Sequence, residues 1–251
     1  MGDGTHWVEV AQAVKRMTAA PYSGGVAVGS PLEPSSELDW DVPCVPSKIV
    51  CVGRNYAAHA KELGNDVPEE PLLFLKPPSS LMRSAGDVLL PPVSRRVDFE
   101  GEIGLVIGSV VDSQSTDERI REAIFGVTCC NDVTARDLQK ADRTFTRGKG
   151  FDTFAPCGPW IETEIDVDGL RIETRVNGVV RQSGAVHEMV FSPIELIRYI
   201  AGIMTLYPGD LIMTGTPEGV GPLNEGDVVV IAIPGIMELT HGVAVRKGSE
   251  N

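Results

Sequence analysis

Residues 98–108 read DFEGEIGLVIG. Successive strand side chains point to opposite faces, so Glu100 and Glu102 share one face, with Asp98 beside them. Phe99, Ile103, Leu105 and Ile107 line the other face. An apolar run of this kind reads as a long buried strand. Two like charges that close repel, and burying both ionised is costly without compensation. Either that face is wet, or something positive sits over it.

Outward from this strand, the flanking segments carry related signals. KIVCVG (48–53), PLLFLKP (71–77), GVTCCND (126–132), DLIMTGTPEGVG (210–221) and GDVVVIAIPG (226–235) contain short apolar runs bounded by Gly, Pro or Asp, and each is expected to hold a strand. LRIETRVNGVVRQ (170–182) carries Asn177-Gly178 between two such runs, the strongest short hairpin signal. Three helices are expected beyond residue 46. NYAAHAKEL (55–63) has Asn55 in front and Gly64 behind. STDERIREAIFG (115–126) offers a capping box of Ser115 with Glu118 and a closing Gly126. SPIELIRYIAGIMTL (192–206) has Ser192 as cap, Pro193 in the first turn and Glu195 to complete the box. Strands outnumber helices and hairpins dominate, so the class is mainly β with a few helices, an α+β arrangement.

Residues 1–46 differ. They are rich in Gly, Pro and Ser and end in a segment, DWDVPCVPS (39–47), whose prolines suggest an extended linker. VEVAQAVKRM (8–17) reads as a short helix. The chain is thus divided into a small N-terminal segment and linker, 1–46, and a main domain, 47–251.

The bulk composition excludes several classes. The chain has 251 residues, 42% apolar and 23% charged, with 35 acidic against 22 basic residues and a net charge of −13. That balance argues against non-specific nucleic-acid binding, which relies on basic surface. It leaves room for a small anionic substrate, because a site can be locally positive on an acidic protein. The five cysteines are odd in number, two of them adjacent, with no CxxC, which suits reduced thiols in a cytoplasmic protein. The start lacks the signature of a signal peptide, and no apolar run reaches the roughly 18 residues of a membrane span.

A divalent cation would relieve the repulsion between Glu100 and Glu102, and all-carboxylate ligation favours hard ions: Mg²⁺, Mn²⁺ or Ca²⁺. A third ligand is wanted, and Asp132 stands where the apolar GVTCC run ends. The plain alternative is a solvated face of an antiparallel sheet. His59 and Glu62, three apart, fall on one helix face, where a glutamate can orient an imidazole as a base that activates water. Their alternative is an exposed helical pair. Lys149 sits between glycines in FTRGKGFDTF (145–154), where it could neutralise an oxyanion or relay a proton, or be an ordinary loop lysine. TGTPEGVG (214–221) offers backbone N–H groups and the Thr216 hydroxyl as an anion nest, or a plain turn, and is no P-loop. Arg54 and Gln139 are further candidate substrate contacts.

VGRNYAAHAKE, FLKPPSSL, DFEGEIGLVIG, NDVTARDLQ, RGKGFDTF and TGTPEGVG occur in this order, and the ordered set resembles the fumarylacetoacetate hydrolase superfamily from about Lys48 to about Val243. The resemblance implies the family's mixed β-sandwich roll, a homodimer, and an N-terminal segment shorter than in many members. It places Glu100, Glu102 and Asp132 on the metal carboxylates, binding Mg²⁺ or Mn²⁺, with Ca²⁺ in some members. His59 and Glu62 fall on a dyad carried on a mobile lid helix, Lys149 on the active-site lysine, Gln139 and Thr216 on substrate contacts, and Arg54 on the basic residue of the GRNY segment. The implied activity is metal-dependent C–C hydrolysis of an acylpyruvate-type 2,4-diketo acid through a metal-stabilised pyruvate enolate. The same enolate serves oxaloacetate decarboxylation and isomerisation of 2-hydroxyhepta-2,4-diene-1,7-dioate. A non-catalytic relative that binds a metal and a dicarboxylate is the reading from another class.

Overall fold

The computed structural model describes residues 41–246, so the helix expected over 8–17 and all but the end of the 1–46 segment lie outside the described residues. Strands predominate, as expected. They form a seven-stranded, a five-stranded and a three-stranded sheet.

The seven-stranded sheet runs β2-β1-β12-β6-β7-β9-β3. Its members are β1 (Ile49–Gly53), β2 (Leu72–Lys76), β3 (Leu81–Met82), β6 (Gly101–Ile107), β7 (Ile124–Asn131), β9 (Ala155–Glu162) and β12 (Leu211–Met213). The five-stranded sheet runs β11-β10-β14-β15-β4, from β4 (Asp87–Leu90), β10 (Arg171–Val176), β11 (Val179–Ala185), β14 (Val228–Ala232) and β15 (Leu239–Val245). The small sheet joins β13 (Gly221–Pro222), β5 (Val97–Phe99) and β8 (Thr134–Ala135). The helices are α1 (Ala57–Glu62), α2 (Asp117–Ala123), α3 (Arg136–Ala141), α4 (Thr146–Lys149) and α5 (Pro193–Ala201). Among the described residues no helix is long and apolar enough to cross a membrane.

The opening stretch is the centre of this architecture. All seven residues of β6 are buried, with β12 and β7 paired on its two sides. That explains the near-continuous apolar run, since a strand covered on both faces has no need to alternate. The single long strand of the sequence reading is in fact two: it breaks at Glu100, and β5 leaves for the small sheet. The acidic face is not wet either, since Asp98, Glu100 and Glu102 are all buried.

Local signals explain most boundaries. Ser192 caps α5, accepting from Glu195 N–H while the Glu195 carboxylate accepts from Ser192 N–H. The Asn177-Gly178 turn has both residues at positive φ, 52° and 76°, and joins β10 to β11. Two expected caps moved. Thr116, not Ser115, caps α2, and Gly126 lies inside β7 instead of closing the helix. Asn55 does not cap α1. Its amide donates to Phe191 O and Thr214 O and its oxygen accepts from Phe191 N–H, tying three loops together. All five cysteines are free and buried.

Candidate metal centre and active site

Glu100 sits at the break between β5 and β6, Glu102 is the second residue of β6, and Asp132 follows the end of β7. The antiparallel register pairs Gly101 with Asn131, and Asp132 N–H extends the ladder by donating to Glu100 O at 2.8 Å. The three carboxylates therefore converge. Each offers an oxygen within 4.8 Å of the others, and all are buried.

The positive groups demanded by the sequence are present. Lys149 Nζ donates to Glu100 Oε2 at 2.8 Å and to Asp132 Oδ2 at 2.5 Å. Lys76 Nζ donates to Asp132 Oδ1 at 2.7 Å. Arg136 donates to Glu100 Oε1 and, at 2.9 Å, to Asp98 Oδ2. Burial pushes the Glu100 carboxyl up, but Lys149 and Arg136 outweigh it and hold it well below the usual range. Burial also disfavours the Lys149 ammonium, yet Asp132 and Glu100 push it up to about 12. Lys149 is thus a persistent positive charge.

Glu102 is the exception. Among the described residues its hydrogen-bond partner is the backbone N–H of Gly215, which donates to Oε2 at 2.8 Å. Burial raises its carboxyl well above the ordinary value, and the neighbouring Asp132 and Glu100 raise it further. A buried carboxylate without a cationic side chain, converging with two others, fits a hard divalent ion. Oxygen-only donors suit Mg²⁺, Mn²⁺ or Ca²⁺ and do not choose among them.

A cavity of about 280 Å³ opens over the triad. Arg54, His59, Gln139, Phe145 and Thr216 are in its wall with Lys149. His59, buried, places Nδ1 at 3.3 Å from Glu62 Oε2. A carboxylate accepts, so Nδ1 carries the hydrogen and Nε2 is left as the proton acceptor. Glu62 in turn accepts from Gly219 N–H at 3.1 and 3.2 Å. The TGTPEGVG loop therefore holds the carboxylate of α1 itself.

The other expected residues take more specific positions. Thr216 Oγ1 donates to Gly101 O at 2.9 Å and accepts from Gln182 Nε2 at 2.7 Å, so its hydroxyl hydrogen is already committed. Gln139 Oε1 accepts from Arg136 Nη1 at 2.8 Å. Arg54 lies in the cavity wall with φ 58°, a backbone strain common at functional sites. Glycine beside Lys149 serves packing: a Cβ at Gly148 would lie 2.9 Å from Gln139 N. Sequence reasoning missed Lys76, Arg136 and Gln182. A lysine ending an apolar strand, at 76, was the available signal. Phe74 was missed too; its ring stacks edge-on with Phe145 at 5.4 Å and lies 4.8 Å below Lys149 Nζ.

Comparison with known proteins agrees with this geometry. Residues 48–244 match the C-terminal domain of fumarylacetoacetate (FAA) hydrolase. Oxaloacetate tautomerase FAHD1, mitochondrial, of Arabidopsis thaliana is 44% identical over 207 residues, 80% of this chain and 92% of that protein. The 2-hydroxyhepta-2,4-diene-1,7-dioate isomerase of Mycobacterium marinum superposes with a TM-score of 0.75 at 42% identity, covering 82% of this chain and 78% of that one. Fumarylpyruvate hydrolase from Pseudomonas aeruginosa, solved with Mn²⁺ and pyruvate, gives 0.76 at 32% identity, covering 84% and 94%.

Proposed function

The chain belongs to the fumarylacetoacetate hydrolase family, and from that premise we propose that it is a divalent-metal-dependent hydrolase cleaving a C–C bond in acylpyruvate-type 2,4-diketo acids. The supporting observation is His59, held from Nδ1 by Glu62, in the wall of the cavity that covers three convergent carboxylates. A water-activating base is needed for hydrolysis and not for every reaction of the family. Glu100, Glu102 and Asp132 would hold the ion, Mg²⁺ or Mn²⁺, which when bound supplies Lewis-acid polarisation of a 2-oxo acid's oxygens.

The chain's own residues supply the rest. His59 Nε2 takes a proton from water while Glu62 holds the ring from Nδ1. The water oxygen adds to the distal carbonyl carbon. The C–C bond then breaks, and its electron pair leaves with the pyruvate fragment, which takes up a proton. Negative charge grows on that fragment beside Lys149, whose persistent ammonium steadies it. Gln139 and Arg54 fix the substrate's orientation from the wall. Phe74 and Phe145 pack edge-on and give the cavity an apolar side.

The likeness to the Arabidopsis oxaloacetate tautomerase favours a second reading, in which the same charge build-up on a pyruvate-like fragment serves tautomerisation, decarboxylation or diene-dioate isomerisation. A panel of acetylpyruvate, oxaloacetate and a hydroxymuconate-type diacid, each with Mg²⁺ and Mn²⁺, separates the readings. Pyruvate and acetate from acetylpyruvate support the hydrolase. Turnover of oxaloacetate or the diacid alone favours the second reading. No turnover of any member favours a binding protein.

A further inference from the structure

Lys76 is the last residue of β2, an edge strand whose other four residues are Leu72, Leu73, Phe74 and Leu75. Its side chain is 0% exposed. An unpaired ammonium so placed would be strongly destabilising. Its partners are Asp132 Oδ1 at 2.7 Å and, at 3.1 Å, the carbonyl oxygen of Val133, the residue after that aspartate. The Phe154 ring lies 6.0 Å away on the apolar side.

The two oxygens of Asp132 are therefore divided between two lysines. Lys76 takes Oδ1. Lys149 takes Oδ2 and spans from it to Glu100 Oε2, so those two oxygens share a common neighbour. Lys149 lines the cavity, whereas Lys76 stands behind the carboxylate and away from it. By bonding both the side chain of residue 132 and the main chain of residue 133, Lys76 fixes the carboxylate's rotation and the backbone that carries it.

We infer that Lys76 is a positioning residue for the metal centre: it reserves Asp132 Oδ1, so that Asp132 presents Oδ2 to the cation alongside the two glutamates. This rests on the metal reading above and adds to it a residue outside the cavity. A lysine that merely contributes positive charge repels a cation, so its removal tightens binding. A lysine that aims a ligand does the opposite. Loss of an outer partner of a ligand typically weakens metal binding about 10–100-fold.

The test is Mn²⁺ affinity, by electron paramagnetic resonance or calorimetry, of wild type, Lys76→Met and Lys76→Gln, with circular dichroism as the folding control. Lys76→Met is expected to weaken Mn²⁺ binding by about 10–100-fold. Lys76→Gln keeps an N–H donor without the charge and is expected to recover part of the loss. A folded Lys76→Met that binds Mn²⁺ as tightly as wild type, or more tightly, overturns the inference. So does equal loss in both variants, because the N–H donor kept by glutamine would then contribute nothing to aiming Asp132. If Lys76→Met does not fold, Lys76→Gln decides by the same criterion of weakened against unchanged or tighter binding. Failure of both to fold overturns the inference too, because Lys76 then serves the fold and not the site. Absence of Mn²⁺ binding by wild type would instead remove the metal centre itself, a different result.

Discussion

Glu102 is 1% exposed, accepts from one backbone N–H, and has two carboxylates for neighbours. Such a side chain is a stability liability, as sites built for a charged ligand commonly are. Glu102→Gln keeps the shape and removes the repulsion, and its amide can donate to the adjacent carboxylates. In EDTA the variant is expected to melt about 2–5 °C higher than wild type, equivalent to roughly 1–2 kcal/mol in a chain of this size. Added Mn²⁺ should raise the melting temperature of wild type and leave that of the variant unchanged. Scanning fluorimetry with and without metal checks both, and a variant less stable than wild type in EDTA would mean that Glu102 is well accommodated as it stands. His59 makes the complementary case. Among the described residues its carboxylate partner is Glu62, and it makes no hydrogen bond to the triad. His59→Ala is expected to lower turnover by about 10²–10⁴-fold while Mn²⁺ affinity stays within about twofold. Steady-state rates with saturating metal, set beside a binding isotherm, separate the two effects.

Among the elements, the short helices α3 and α4 bring Gln139 and Lys149 to the cavity, and they do so by near contact. The Cβ of an alanine at 148 would meet Gln139 N, Cα and Cβ at 2.9–3.0 Å. Gly148→Ala must part the two helices, at a cost of roughly 1–3 kcal/mol. Because Lys149 is the next residue, activity should fall by at least tenfold in a protein that still folds, as read by kcat/KM and circular dichroism. This level also shows what a sequence can and cannot carry. The Asn177-Gly178 hairpin and the Ser192–Glu195 box were legible because their partners lie within four residues. The carboxylates Glu100 and Glu102 were legible because charge inside an apolar run is itself a signal. Lys76 to Asp132 spans 56 residues and Gln182 to Thr216 spans 34, so nothing local marks either pair. Asn55 looked like a helix cap because its type suits that role, but tertiary partners at residues 191 and 214 claimed its side chain. The break at Glu100 was hidden for the same reason: the residues alternate correctly through it, and only the pairing of β5 with β8 and β13 turns the chain aside.

Across the whole molecule, one chain of hydrogen bonds joins the carboxylate triad to the second large sheet. Asn131 Oδ1 accepts from Glu100 N–H at 2.8 Å, which turns its amide group toward His241 Nε2 at 2.9 Å. His241 Nδ1 lies 2.9 Å from Gly242 O, an acceptor only, so the imidazole is the Nδ1–H tautomer and Nε2 accepts from Asn131. Burial is the main reason its pKa falls from 6.5 to about 4, against smaller opposing effects of the Gly242 carbonyl and Asp87. The unfolded chain therefore binds a proton at His241 that the folded chain refuses between those values. Stability is fully present above about pH 6.5 and is lost as pH falls toward 4, by up to about 3 kcal/mol. Protonation would also set two donors against each other, Nε2–H facing the Asn131 amide, and so loosen the bond that holds the Glu100 backbone. Glu102 contributes with the opposite sign, since a carboxyl raised in the folded state binds its proton more readily there and favours folding at low pH. The two are separated by urea unfolding in EDTA at pH 7.0, 6.0, 5.0 and 4.5 for wild type and His241→Asn, a variant that cannot titrate. The stability difference, wild type minus variant, is expected to shrink steadily as the pH drops. A difference that stays constant over this range would mean that His241 ionises equally in both states, and that the bond network does not keep it neutral.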